Sequence, residues 1–199
     1  MIMKTSTLQK AFFGILCAAF LLLQACSSPT VRYGDSKAVE TVTADFGSSD
    51  LQQIAESMAR SMLQSAVISE SRDRPTVTVA EVKNKTTEYI DTRVITDKIR
   101  TQMTKSGRVR FAVNINEMQS QVDELKRQNQ SGLYATQTRS KMGSMQAAKY
   151  RVEGAISSIV KQTKDVKDVF YIFDLRLIDT ETGLVEWADE KEIRKTATR

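Results

Sequence analysis

Three consecutive stretches toward the C-terminal end alternate apolar and polar residues, and this pattern limits the fold more than any other feature. In YRVEGAISSIV (150–160), Val152, Gly154, Ile156, Ser158 and Val160 share one side. In VFYIFDLRLI (169–178), Val169, Tyr171, Phe173, Leu175 and Leu177 do. In LVEWADEKEI (184–193), Val185, Trp187 and Ile193 face alike. A period of two is the mark of a strand with one buried face. The polar turns Lys161–Asp165 and Asp179–Gly183 separate the three stretches. Short turns between alternating strands make an antiparallel meander.

Upstream the period changes. Leu51, Ile54, Ala55, Met58, Met62 and Leu63 recur at helical spacing behind Asp50, which forms a capping pair with Gln53. After Arg74-Pro75, the β-branched run TVTVAEV (76–82) reads as a strand, and Asn84–Thr87 as a turn. A helix then runs from about Asp91 with Val94, Ile95, Ile99 and Met103, and Ser106-Gly107 stops it. Val109–Val113 is a second strand. Asn114 and Glu117 are capping-box residues for a helix carrying Met118, Val122 and Leu125. Residues 129–140 read as loop, and Lys141–Lys149 as a short helix with Met142, Met145 and Ala148. The order α-β-α-β-α-(α)-β-β-β gives an α/β (α+β) chain: a single mixed β-sheet flanked by helices, ending in the meander. The strand-helix-strand unit is expected to be parallel with a right-handed crossover.

The N-terminal end belongs to no such domain. Lys4 and Lys10 precede Ala11–Leu23, an uncharged apolar run. It is shorter than the ~20 residues needed to span a bilayer and suits the apolar region of a secretory signal. Leu23-Gln24-Ala25-Cys26 then resembles a bacterial lipobox, although Gln24 departs from the usual small or apolar residue. The expectation is cleavage after residue 25, lipidation of Cys26, and stable anchoring through several acyl chains. Ser27 after the cysteine implies sorting to the outer membrane. Residues 26–49 follow as lipidated cysteine and flexible tether, and 50–199 as the folded domain. The 23 residues 27–49 would reach ~75–83 Å when extended and ~25 Å as a relaxed coil.

This division alters the chemistry available. The chain has no histidine and two cysteines. Cys17 lies in the expected signal and Cys26 carries lipid, so the mature protein has neither thiol nor imidazole. Histidine-dependent nucleophiles, general bases and zinc sites are excluded. No catalytic set, metal site or cofactor is expected. Of 29 basic residues, Lys4 and Lys10 are removed, leaving 27 against 24 acidic, a net charge of +3. That is too mild for nucleic-acid binding without a basic, aromatic-lined stripe. Ser158 and Lys161 match a Ser-x-x-Lys spacing, but in an alternating strand they face opposite sides. Glu117, Asp123 and Glu124 sit beside Lys126 and Arg127 and read as a solvated helix face. Asp174 and Arg176 share a strand face and read as cross-strand pairing residues.

Several segments together resemble the LpoB family of outer-membrane lipoproteins. They are Arg74–Val79, VKNKTTEYIDTRVITDKI (82–99), Ser106–Phe111, YRVEGAISSI (150–159) and LIDTETGLVEWADEKEIRK (177–195). Their order and spacing behind a lipobox are more specific than any one alone. The resemblance implies a fold like the N-terminal domain of TolB and a non-enzymatic role. It further implies docking on a periplasmic regulatory domain of a class A penicillin-binding protein, which raises peptidoglycan synthesis. No nucleic acid is implied as a partner, and the protein is expected to be a monomer on the periplasmic face of the outer membrane. Better-known members carry a longer, proline-rich tether, whereas only Pro29 lies in this one. The competing reading is an envelope assembly or scaffold lipoprotein, curli-secretion-like or flagellar-associated, with a different partner. Interfaces favour Tyr and Arg anchors. The expected partner-binding residues are Tyr89 and Arg93 at the strand-helix junction, Arg139, Tyr150, and Lys161 and Lys164 at the hairpin.

Overall fold

The computed structural model describes residues 31–198. The expected signal and Cys26 lie outside the described residues. The chain divides into a unit ending at Ser36 and a unit starting at Lys37, and every helix and strand among the described residues lies in the second. These are α1 (Ser48–Gln64), α2 (Ala66–Ser69), β1 (Thr76–Val79), β2 (Lys83–Asn84), α3 (Thr92–Lys105), β3 (Arg110–Phe111), α4 (Ile115–Gln130), β4 (Tyr150–Gln162), β5 (Val166–Asp179) and β6 (Val185–Thr198). One mixed, open sheet of six strands runs in the order β3-β1-β4-β5-β6, with β2 also pairing β4. β1 is parallel to β3 and β4, whereas β4, β5 and β6 form the expected antiparallel meander.

β5 shows why the sheet forms. It is paired on both sides, and its alternate residues Val169, Tyr171, Phe173, Leu175 and Leu177 are all buried. Each such side chain contributes ~1.5–3 kcal/mol by leaving water. The other half of the core comes from α1, through Ile54, Ala55, Met58 and Met62, and from α3, through Ile95, Ile99 and Met103. These residues form one apolar stripe on each helix. At Gly154 an added Cβ would lie 2.0 Å from the carbonyl oxygen of Asp174, so only glycine fits where β4 crosses β5.

The helix ends follow local chemistry. Asp91 caps α3 by accepting the Arg93 N–H at 3.0 Å, and Gly107, at φ +70°, turns the chain beyond its last residues. The Asn114 side chain accepts the Glu117 N–H at 3.1 Å and opens α4. α1 differs slightly from expectation. It begins at Ser48 behind Gly47, and Asp50 is inside its first turn, accepting the Gly47 N–H at 2.8 Å.

Two other expectations are corrected. Lys141–Lys149 is not a helix: Gly143 sits at φ +78°, which breaks a helical run, and Met142 and Met145 are exposed. Val185 does not face with Trp187 and Ile193. A register shift leaves Glu186 unpaired between Trp187 opposite Leu177 and Val185 opposite Ile178, so Val185 turns to the exposed side. Arg176 pairs across the strands, as expected, with Glu153 at 2.8 Å. Ser158 and Lys161 lie opposite Tyr171 and Asp168, on the two different faces of the sheet.

The stretch read as tether up to residue 49 also carries more structure than its composition suggests. Ala44 is buried and Phe46 meets the Tyr171 ring edge-on at 5.7 Å. Glu40 accepts the Ser48 N–H at 2.8 Å, and its own N–H reaches Ser49 Oγ at 2.6 Å. Residues 37–47 thus form a strap against the domain. The apolar anchors are single residues among polar ones, too sparse to show a period.

Candidate functional site

The strands β1 and β4 are parallel, but β1 ends at Val79 opposite Val152, whereas β4 runs on to Gln162. The strap spans the difference, touching the loop 80–91 where Phe46 meets Glu88 and the base of the β4–β5 hairpin where Asp45 meets Lys167. Beneath them lies a polar cluster. Glu88 uses one carboxylate oxygen to accept the Phe46 N–H at 2.9 Å and the other to accept the Tyr171 hydroxyl at 2.5 Å. Asp45 pairs with Lys167 at 2.5 Å. Lys195 donates to the Asp45 carbonyl at 2.6 Å and to Asp50 at 3.0 Å. Asp50 is only 3% exposed, and such a carboxylate is tolerated because it is paired. Burial, followed by the hydrogen bond to Glu88, pushes the Tyr171 hydroxyl pKa up. The hydrogen bond to Asp45 raises that of Lys167. The cluster is committed to holding strap and sheet together.

Above it, a turn is fixed by its own side chains. Asn84 donates to the Glu88 carbonyl at 2.8 Å and accepts from the Thr86 N–H at 2.9 Å and the Thr86 hydroxyl at 2.8 Å. Thr92 donates to the Val82 carbonyl at 2.7 Å and ties the helix start back to the strand. This bonding holds the backbone that carries Tyr89, which is 95% exposed. Arg93 follows on the first turn of α3 with its side chain 85% exposed. A large aromatic held outward by a rigid turn loses little further freedom on binding, and so suits an interface anchor.

Lys161 and Lys164 are exposed at the hairpin tip of the same end. Tyr89, Arg93, Lys161 and Lys164 therefore all lie toward the carboxyl end of β4, spread along it rather than gathered. Arg139 and Tyr150 lie at the other. Tyr150, expected on the surface, is 8% exposed at the start of β4, opposite Val77 and Asp179. Its parity with Val152 and Ile156 was the signal that it points inward. Arg139 is half-buried and donates to the Tyr134 carbonyl at 3.0 Å and the Thr136 hydroxyl at 3.2 Å, closing the loop after α4. Glu88 was missed by sequence reasoning, since nothing local distinguishes it from any exposed loop carboxylate.

No group of metal-ligating side chains occurs among the described residues, and no described helix is long and apolar enough to cross a membrane. The carboxyl part of β4 and the loop beside β1 present an outward aromatic and exposed cations.

Residues 50–193 match the family described as peptidoglycan-synthase activator LpoB. No curated protein matches the chain. Among solved structures it is similar to the LpoB C-terminal domain from Salmonella enterica, at 15% identity over 73% of this chain and 99% of that one, TM-score 0.43. It is also similar to the corresponding domain from Escherichia coli, at 14% identity over 73% and 99%, TM-score 0.42. A further similar structure is lipoprotein GNA1162 from Neisseria meningitidis, at 12% identity over 62% and 84%, TM-score 0.40.

Proposed function

Because this chain belongs to the LpoB family of peptidoglycan-synthase activators, we propose that it activates a class A penicillin-binding protein by binding its periplasmic regulatory domain. The family match across residues 50–193 carries this reading. It is supported by the outward Tyr89 and Arg93 and by the exposed Lys161 and Lys164 of the hairpin, all toward the carboxyl end of β4. The role is non-enzymatic. Lipidation at Cys26 would hold the protein, as a monomer, to the periplasmic face of the outer membrane.

The mechanism is a coupling of two equilibria. A bound activator raises the rate of the synthase only if it binds the active conformation more tightly than the resting one. Tyr89 and Arg93 supply the anchor, and the two lysines steer an acidic partner surface toward it. The strap sets the direction in which the chain leaves this end.

The test is direct. The full-length protein is used to capture class A synthases from solubilised envelopes, and glycan polymerisation by the captured enzyme is measured with and without it. Capture with faster polymerisation is expected. Neither capture nor stimulation would sink the reading and leave the assembly-lipoprotein alternative.

A further inference from the structure

Glu88 is bonded at both its side chain and its backbone, and the two sets of bonds reach different parts of the molecule. The carboxylate accepts the Phe46 N–H of the strap at 2.9 Å and the Tyr171 hydroxyl of β5 at 2.5 Å. The backbone belongs to the turn. Its N–H donates to the Thr86 hydroxyl at 3.2 Å, and its carbonyl accepts the Asn84 side-chain N–H at 2.8 Å. That carbonyl lies in the peptide plane that ends at the Tyr89 Cα, so whatever holds it also aims Tyr89.

Bonds within a turn fix its shape but not its place. The flanks are placed by the Lys85 N–H on the Ile156 carbonyl at 2.7 Å and by buried Ile90. Between them, no residue from Lys83 to Tyr89 is buried. Among the described residues, the hydrogen bonds that residues 86–89 make outside the segment 84–92 are the two at the Glu88 carboxylate. One of the two comes from the strap, and the strap is the weaker hold. Of residues 37–47, Ala44 alone is buried, whereas β5 buries every second residue from Val169 to Leu177. A segment with so few buried apolar contacts opens more readily than the sheet beneath it. When it opens, Glu88 loses the Phe46 N–H and Tyr171 loses the ring packed on it. The turn is then placed less firmly, and Tyr89 has to be ordered as it binds.

We infer that Glu88 is a positioning residue for Tyr89, through which docking of the strap and binding of a partner at Tyr89 favour one another. This rests on the reading of Tyr89 as an anchor for a synthase. The strap-docked form presents a pre-ordered Tyr89 and binds more tightly. Coupling between equilibria is reciprocal, so a bound partner in turn holds the strap down.

Two measurements on the full-length protein in detergent test this. The first needs no partner and follows amide hydrogen exchange. Phe46→Ala removes the ring from Tyr171, and Asp45→Asn removes the charge that faces Lys167; both loosen the strap and leave Glu88 in place. Each should speed exchange of the Thr86 and Glu88 amides about 5-fold, the low end of coupling between sites, with the β5 amides unchanged. Asp45→Asn, at a half-buried position, keeps the test open should Phe46→Ala unfold. Thr86 and Glu88 amides that exchange as in the wild type would overturn the inference, whether or not a synthase binds. The second measurement is affinity for the captured synthase. Glu88→Gln and Phe46→Ala should each weaken it about 5-fold. In a Tyr89→Ala background Glu88→Gln should add no further loss, because its effect runs through the missing side chain. The same loss with and without Tyr89 would mark a merely structural Glu88 and sink the proposal. If no synthase is captured, the activator reading fails, and the exchange rates still decide the link between strap and turn.

Discussion

The two ends of the sheet are built from the same residue types and use them differently. At the amino end of β4, polar groups turn inward. Asp179 accepts the N–H groups of Glu181 at 2.9 Å and Thr182 at 3.0 Å, Thr180 donates to the backbone of Ala148 or Lys149, and Arg139 closes its own loop. At the carboxyl end, Glu88, Lys167 and Lys195 bind the strap, while Tyr89, Arg93, Lys161 and Lys164 are left pointing outward. One end consumes its polar groups to close the fold. The other uses some on the fold and leaves a second, exposed layer on a backbone held from beneath.

The largest effect should come from the inner layer of the carboxyl end. Lys195→Ala leaves the Asp50 carboxylate buried without its cation and should cost about 3 kcal/mol, read as a fall in Tm. Partner affinity of the residual folded protein should change far less than its stability. Next, Tyr89→Ala should weaken partner binding by about 2 kcal/mol or more while Tm stays put. A Tm loss equal to that of Lys195→Ala would erase the distinction between the two layers. Tyr171→Phe should cost about 1 kcal/mol near neutral pH by leaving Glu88 without its donor. The folded hydroxyl has a raised pKa, so its contribution is complete below the ordinary tyrosine value of ~10 and is lost as pH rises beyond it. Wild type should therefore lose stability more steeply in alkali than Tyr171→Phe, as chemical denaturation at a series of pH values will show.

At the amino end, Asp179→Ala should lower Tm at neutral pH without touching partner binding. The N–H groups of Thr182 and Glu181 hold the Asp179 pKa below its usual value. Its stabilisation is then present above the ordinary aspartate range and lost as pH falls through the lowered pKa. The Tm difference between Asp179→Ala and wild type should shrink in strong acid. The smallest effect belongs to Lys161→Glu with Lys164→Glu. It should slow association and flatten its salt dependence, measurable by stopped flow, with stability unchanged.

The meander was legible because β5 is buried on one face and paired on both edges, so every alternate residue had to be apolar. β1 and β3 were legible through β-branched runs, although the paired segments are shorter than those runs. Val185 was not, because a register shift inverts facing without altering the alternation of the residues themselves. Lys141–Lys149 was misread because Met142, Met145 and Ala148 imitate a helical stripe around a glycine at positive φ. Of the candidate residues, Tyr89 and Arg93 are exposed, as the polar turn around them implied. Tyr150 was misplaced against its own parity, and Arg139 is absorbed by carbonyls that a sequence does not reveal.

The strap also determines where slack in the chain is stored. While Ala44, Asp45 and Phe46 are held by Tyr171, Lys167 and Lys195, the strap is not free to extend. Paid out, residues 37–47 would add ~36–40 Å at ~3.3–3.6 Å per residue. A pull from the N-terminal side meets Glu40 at Ser48 and Ser49 first, then Asp45 at Lys167, then Phe46 at Glu88, each contact in turn. The line thus runs out by stages, and the Asn84–Thr92 platform that carries Tyr89 keeps its own hydrogen bonds until the strap is spent.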